Sequence, residues 1–490
     1  MSLKKYFRKK PLESYKNDLQ NSELKRVLGK WELTAIGIGA VIGGGIFVLT
    51  GVASNLYAGP ALTISFILAG IGCLFAGLCY AEFASILPVS GSAYAYSYGT
   101  IGEFFAWFIG WNLILEYLMG ATTVAVSWSK YFIKLLHLFN IDNIPVWLLN
   151  DPVSAREEAI LKDIIAPAFS INLPAMLILW VVTYILIKGI KESAKTNNLI
   201  VTIKVLAVLF VIIVGAFYIK ESNWQPYIPE KIIDKSGESH YGISGVLTAA
   251  GIVFFAFIGF DAVSTQSQEA INPTKDIPFA IIVSLICCTL LYVLVSLVLT
   301  GMVNYKNLDL GAPVASAFNE VGLRWASGLI IIAAVVGLIS VMLVMLLSQT
   351  RIFLNMAKDG LLPQKYFAAI HPTYKTPWKS TLLVGSAASV VAALTPIEKA
   401  SKMTSIGTLF AFAMICAAVL VLRKKQPDLH RPFKLKNLTL IASSGIIFNI
   451  ILMFSLDKAT WLRLLVWSII GIIIYFAYSA KHSHLNKKNS

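Results

Sequence analysis

Apolar residues arrive in long blocks separated by short polar segments. Windows of about 19 residues place twelve such blocks at roughly 32–57, 61–88, 101–127, 172–189, 197–219, 243–266, 279–302, 327–350, 380–395, 403–422, 438–456 and 461–479. Most reach the roughly 20 residues that a helix needs to cross a hydrocarbon core about 30 Å thick. Stretches such as AIIVSLICCTLLYVLVSLVLTGMV (280–303) are apolar on every face, whereas a membrane barrel strand would turn polar at every second position. The pattern predicts an all-α membrane protein, a bundle of about twelve transmembrane helices.

The intervening segments are unevenly charged. With the N-terminus on the cytoplasmic side, segments on that side hold 27 Lys and Arg, those opposite hold 13, and Lys204 inside a span completes the 41. The positive-inside rule therefore places both termini in the cytoplasm. A polar, basic tail over 1–30 precedes the first span, and no short apolar stretch with a small-residue cleavage site opens it, so no cleaved leader is expected.

Two spans are interrupted. GAVIGGGIF (39–47) carries Gly43, Gly44 and Gly45 in mid-span, although each glycine costs about 1 kcal/mol against alanine in a helix. Small residues four apart, such as Gly39 and Gly43, also serve close helix packing, but three glycines in succession exceed that need. A break frees N–H and C=O groups that hydrocarbon cannot satisfy, so it must line a polar cavity. The half-helix after the break offers N–H groups to an anion and the half-helix before it offers carbonyls to an ammonium group. Together these ends fit a zwitterion such as an α-amino acid. The spacing Gly37-x-Gly39-x-x-x-Gly43 resembles a dinucleotide loop but follows no strand. Laying LTAIGIGAVIGGGIF (33–47) over LTAAGIVFFAFIGFD (247–261) matches Leu33, Thr34, Ala35 and Gly37 with Leu247, Thr248, Ala249 and Gly251, and sets Gly45 against Gly259. The two segments lie five spans apart in order, an odd offset, as in an inverted-topology repeat.

Composition narrows the classes. Of 490 residues, 57% are hydrophobic and 14% charged, far from the roughly 25% charged of soluble domains. The net charge of +15 is spread over short segments between spans rather than one basic face, so no nucleic-acid partner is expected. Cys73, Cys79, Cys287, Cys288 and Cys416 all lie in apolar runs without the spacing of a metal site or a disulfide framework. The six histidines fall in loops or tails, so no convergent catalytic group is in view; neither an enzyme, a metal nor a cofactor is expected.

Ionisable residues inside spans are few and hence informative. Lys204 in NNLIVTIKVLAVLF, about eight positions into its span, is costly there unless it faces the bundle or exchanges its proton; it is the first candidate for proton coupling, with snorkelling to the interface as the alternative. Asp261, just after FFAFIG, and Glu116 in WNLILEYLMG are further candidates, either for coupling or for bonding freed backbone N–H groups. Glu82, near the end of the second span, reads equally as a gate or a solvated cap.

In order, GAVIGGGIFVLTG, GPALTISFILAG, CYAEFASILPVSGSAYAYSY, FFAFIGFDAVST, QEAINPTKDIP and QTRIFLNMAKDGLLP strongly resemble the amino acid–polyamine–organocation superfamily, in its bacterial cationic-amino-acid-transporter-like branch. The resemblance runs from about residue 28 to 481. It implies a five-plus-five inverted repeat, 31–219 and 241–423, with broken first and sixth helices, two further helices over 437–480 and a tail over 481–490. It also implies alternating access around a midplane site in a bacterial cytoplasmic membrane.

Carried over residue by residue, the substrate carboxylate meets N–H groups at Gly43, Gly44 and Gly45, and the ammonium group meets carbonyls near Val41, Ile42, Phe255, Ala256 and Ile258. Phe255 would close over the substrate from outside. The family usually has a hydroxyl residue where Gly44 stands, so Ser or Thr there is expected to preserve or tighten binding and Leu to abolish it. Lys204 matches a lysine that replaces sodium in proton-coupled relatives. Met345 matches a position beside the substrate side chain and would narrow the pocket. Proton symport of small neutral, alanine-like L-amino acids is thus the expected function. Transport of arginine or lysine, exchange, and sensing without flux are the alternatives. The partners expected are substrate, protons and lipid; with no cysteine over 128–171, no disulfide-linked heavy chain is expected.

Overall fold

The computed structural model describes residues 8–11, 26–86, 92–141, 143–161, 167–189, 194–233, 239–267 and 269–487. Most of the basic tail over 1–30 lies outside these residues, as does the segment 87–91 of the CYAEFASILPVSGSAYAYSY motif. The described chain is mostly helical, with one two-stranded antiparallel pair, Ile232–Ile233 against Ser239–His240. Its main helices are α1 (Lys30–Val41), α2 (Leu62–Ile86), α3 (Glu103–Leu138), α4 (Leu173–Lys188), α5 (Ala194–Ala216) and α6 (Gly242–Val253). They continue with α7 (Pro273–Met302), α8 (Arg324–Lys358), α9 (Trp378–Leu394), α10 (Ile397–Lys425), α11 (Leu438–Phe454) and α12 (Lys458–Ile474). Eight helical stretches among the described residues are long and apolar enough to cross a membrane, and α4, α9 and α11 are shorter apolar helices. The first stretch, Lys30–Ile86, is interrupted at Gly59 (φ +60°), followed by Pro60.

Several helices outrun their apolar windows. The window for α3 ends near 127 because Lys130 and Lys134 follow, yet the helix runs to Leu138. Partners distant in sequence make this tolerable: Lys130 Nζ donates to Asn150 Oδ1 at 2.5 Å, and Lys134 pairs with Asp309 at 2.8 Å. At α10 the start moves forward to Ile397, where Lys402, only 3% exposed, pairs with Glu398 at 2.8 Å and donates to the Tyr57 hydroxyl at 3.0 Å.

The first span (30–58) and the sixth (242–265) run side by side in opposite directions, α1 lying beside 262–265 and α6 beside 53–58. At one end, Leu28 N–H donates to the Glu269 carbonyl (3.0 Å) and Ile271 N–H to the Leu28 carbonyl (2.9 Å). At the other, Tyr241 N–H donates to the Tyr57 carbonyl (2.8 Å). This pair is central: 83% of the most apolar stretch through α6 is buried, against 22% for that through α12. The outward faces of α5 and α12 expose Leu206, Ile213, Leu462, Ile469 and Ile473, a surface that suits hydrocarbon and not water.

Glu82 is not a solvated cap. It is fully buried at the end of α2, where Arg423 of α10 donates to it, the Leu435 N–H donates to it at 3.0 Å, and Arg431 approaches to 3.5 Å. The carboxylate thereby ties the α10–α11 connection to α2. Breaking a buried pair by removing one partner costs about 3–5 kcal/mol. Glu82→Ala should therefore lower the melting temperature and the yield of monodisperse protein, measured by thermal unfolding and size exclusion, well beyond an exposed Glu230→Ala control.

Candidate substrate site

α1 ends at a true break. Ile42 N–H still closes a turn on the Ile38 carbonyl (2.8 Å), but at φ −69° and ψ 104° Ile42 itself leaves the helix. Winding resumes at Gly44, continues as a wide turn over Gly45–Leu49, and Phe47 N–H donates to the Gly43 carbonyl at 3.3 Å. The N–H groups that open this second half have no preceding turn to accept them. In α6 a tight turn, Phe254–Phe257, prolongs the helix until Ile258 (φ −63°, ψ 137°) leaves it, followed by Gly259 at φ +113°. The breaks therefore fall at Ile42 and Ile258. The sequence register pairs Ile42 with Ala256, and the added tight turn accounts for the offset.

The two breaks touch each other. A Cβ on Gly45 would come within 2.3 Å of Ala256, and a Cβ on Gly259 within 2.9 Å of the Ala40 carbonyl oxygen, so each glycine admits the other segment's backbone. Val41, Ile42, Gly43, Gly44, Gly45, Phe255, Ala256 and Ile258 thus form one buried cluster. Tyr292 of α7 bridges it, its hydroxyl 2.8 Å from the Val41 carbonyl and 2.9 Å from the Ala256 carbonyl. Each carbonyl keeps a second lone pair for a bound cation. Tyr131 of α3 donates to the Phe47 carbonyl at 2.7 Å and fixes the second half of the first helix.

α8 forms one wall through residues one turn apart. Gly337 makes room for the Lys204 stem (3.2 Å from a Cβ placed there), Val341 lies against Gly43 (3.0 Å), and Met345 lies against Gly120 of α3 (3.4 Å). Lys204 is 1% exposed and donates to the Gly39 carbonyl at 2.8 Å. Its partner is a carbonyl one turn before the break, not a carboxylate. Asp261 accepts from the Tyr117 hydroxyl, and Glu116 is buried within its electrostatic reach beside Thr408 of α10. The structure therefore gathers Lys204 onto the break, while Glu116 and Asp261 form a separate acidic pair beside Gly120 and Gly259. Tyr292, Tyr131 and Val341 were not marked out in the sequence; the one signal for Tyr292 is a lone hydroxyl-bearing ring in an aliphatic run.

At the other end of the first helix, Tyr57 donates to Glu398 at 2.6 Å and stacks on His240. Beyond lies a cavity of about 690 Å³ lined by Val52, Leu56, Lys130, Asp309 and Glu398, among others. Burial pushes the Asp309 carboxyl up, but the Lys134 ammonium and the Gly311 and Ala312 N–H groups outweigh it and leave it below its ordinary value.

Residues 28–478 match the family model described as amino acid permease. The chain belongs to the amino acid permease family. Branched-chain amino acid permease BcaP of Bacillus subtilis (strain 168) is 46% identical over 465 residues, 95% of either chain. The methylthioribose transporter of the same organism is 44% identical over 483 residues, covering 98% of this permease and 99% of the relative. The vacuolar cationic amino acid transporter 4 of Arabidopsis thaliana is 36% identical over 408 residues, 83% of this permease and 64% of the relative. These relatives are permeases and transporters, in keeping with a membrane protein that is not an enzyme.

Because one hydroxyl holds both breaks, Tyr292→Phe should leave the permease folded and lower amino-acid uptake at least about tenfold, the worth of one lost hydrogen bond near a charge. Uptake into proteoliposomes at matched melting temperature measures it.

Proposed function

We propose that this permease imports neutral aliphatic L-amino acids, small alanine-like ones among them, together with protons by alternating access. The observation that carries the reading is the contact between two antiparallel broken helices, Gly45 on Ala256 and Gly259 on Ala40, which brings the polar backbone of both breaks to one seam. N–H groups at Gly43, Gly44 and Gly45 take the carboxylate. Carbonyls near Val41, Ile42, Phe255, Ala256 and Ile258 take the ammonium group. Met345 and Val341 leave an apolar wall for a short side chain, which agrees with the branched-chain substrate named for the relative in Bacillus subtilis.

Counting the interruption at Gly59 as a turn between two passes, and α4, α9 and α11 as passes, gives twelve helices. The opposed directions of the first and sixth spans support a five-plus-five inverted repeat over 31–219 and 241–423. The excess of Lys and Arg supports both termini on the cytoplasmic side of a bacterial cytoplasmic membrane.

Lys204 is the coupling group. As an ammonium it holds the Gly39 carbonyl and the first half of the first helix; losing its proton removes an expensive buried charge and loosens that hold. Asp261 and Glu116 are the groups that relay protons on the far side of the break.

Proteoliposomes with an imposed inward proton gradient test this with radiolabelled L-alanine and L-leucine. Gradient-driven accumulation is expected for at least one of them and is lost in Lys204→Ala. Competition by L-arginine or methylthioribose alone would overturn the substrate reading. Uptake indifferent to the gradient, or fully gradient-driven in Lys204→Ala, would overturn the coupling.

A further inference from the structure

The three glycines of the first break are each filled by a different neighbour. A Cβ on Gly43 would meet Val341 of α8 at 3.0 Å, and one on Gly45 would meet Ala256 at 2.3 Å; both walls are hydrocarbon or backbone. A Cβ on Gly44 would meet the Ser127 hydroxyl of α3 at 2.9 Å, its Cβ at 3.4 Å and Val124 Cα at 3.7 Å. Only the middle glycine faces a polar side chain. Gly44 itself sits at φ −56° and ψ −25°, a helical conformation open to any residue, so backbone freedom does not require glycine there. What requires it is the space Ser127 occupies.

The placement is held on both sides. Thr123, Ser127 and Tyr131 follow at one-turn intervals along α3 and are all fully buried. Tyr131 is bonded to the Phe47 carbonyl, which locks α3 against the second half of the first helix and puts Ser127 one turn away, beside Gly44. The Ser127 hydroxyl now donates to the Thr123 carbonyl at 2.8 Å, the usual intrahelical arrangement for a buried serine. Rotation about one bond releases it from Thr123, and its oxygen already lies 2.9 Å from where a Gly44 side chain would begin.

We propose that Ser127 is a substrate-binding residue, whose hydroxyl, delivered from α3 into the place of a side chain at Gly44, donates a hydrogen bond to the substrate carboxylate alongside the Gly43–Gly45 N–H groups. The inference rests on the proposed amino-acid site. It also revises the expectation for position 44: Ser or Thr there fits only if Ser127 gives way.

Equilibrium binding of radiolabelled L-alanine and L-leucine to the purified full-length permease tests it, with melting temperature without ligand as the check on folding. Ser127→Ala should weaken binding about tenfold, as expected for a lost hydrogen bond to a charged group, at an unchanged melting temperature. Ser127→Cys, which keeps the volume with a weaker donor, should fall between. Gly44→Ser alone should weaken binding by collision, and Gly44→Ser with Ser127→Ala should recover at least half of the loss, because the hydroxyl returns from the other side. A purely structural serine predicts no such rescue. Wild-type affinity in both Ser127→Ala and Ser127→Cys, or a double variant no better than the worse single one, overturns the role of Ser127 while leaving the site standing. Failure of the wild type to bind either amino acid overturns the site and this inference together.

Discussion

A peptide group that leaves a helix inside hydrocarbon strands an N–H and a C=O, each costing several kcal/mol if nothing bonds it. The permease strands several of them at two places and then brings the places together. Gly45 lets the first break approach Ala256, Gly259 lets the second approach Ala40, and the antiparallel course of the first and sixth spans puts both breaks at one level. The polar backbone is thus withdrawn from lipid to the centre of the molecule. There it is available to a ligand with one positive and one negative end.

Everything nearest the seam stabilises it or measures it. Tyr292 spans its two carbonyls, Tyr131 fixes one half-helix to α3, and Lys204 reaches across from α5 to the last turn before the first break. The face of α8 carrying Gly337, Val341 and Met345 touches the lysine stem, the break and Gly120 of α3 in succession. Lys204 thus touches the last turn before the first break through one carbonyl and lies against the same face of α8 that packs on Gly43.

Much of this was legible in the sequence where the signal is local. Three consecutive glycines in an apolar run mark a break, and a lysine deep in a span marks a charge that must face the bundle and find a buried partner, as Lys204 does at Gly39. What the sequence did not disclose depends on partners far along the chain. Tyr292 and Val41 are 251 positions apart, and nothing in an aliphatic run says which carbonyl its one phenol will meet. The extra turns of α3 were hidden because Lys130 and Lys134 end an apolar window, although Asn150 and Asp309 receive them in space. Glu82 misled for the same reason: its arginine partners come from the far end of α10 and beyond.

The central claim, that the seam between the two breaks is where an amino acid binds, is tested most directly by a structure of the permease determined with L-leucine or L-alanine bound. The account predicts the carboxylate within hydrogen-bond distance of the Gly43–Gly45 N–H groups and the ammonium group on carbonyls of the Val41–Ile42 and Phe255–Ile258 segments. Ligand density in the cavity beside Lys130 and Asp309, or against Glu116 away from both breaks, would contradict it.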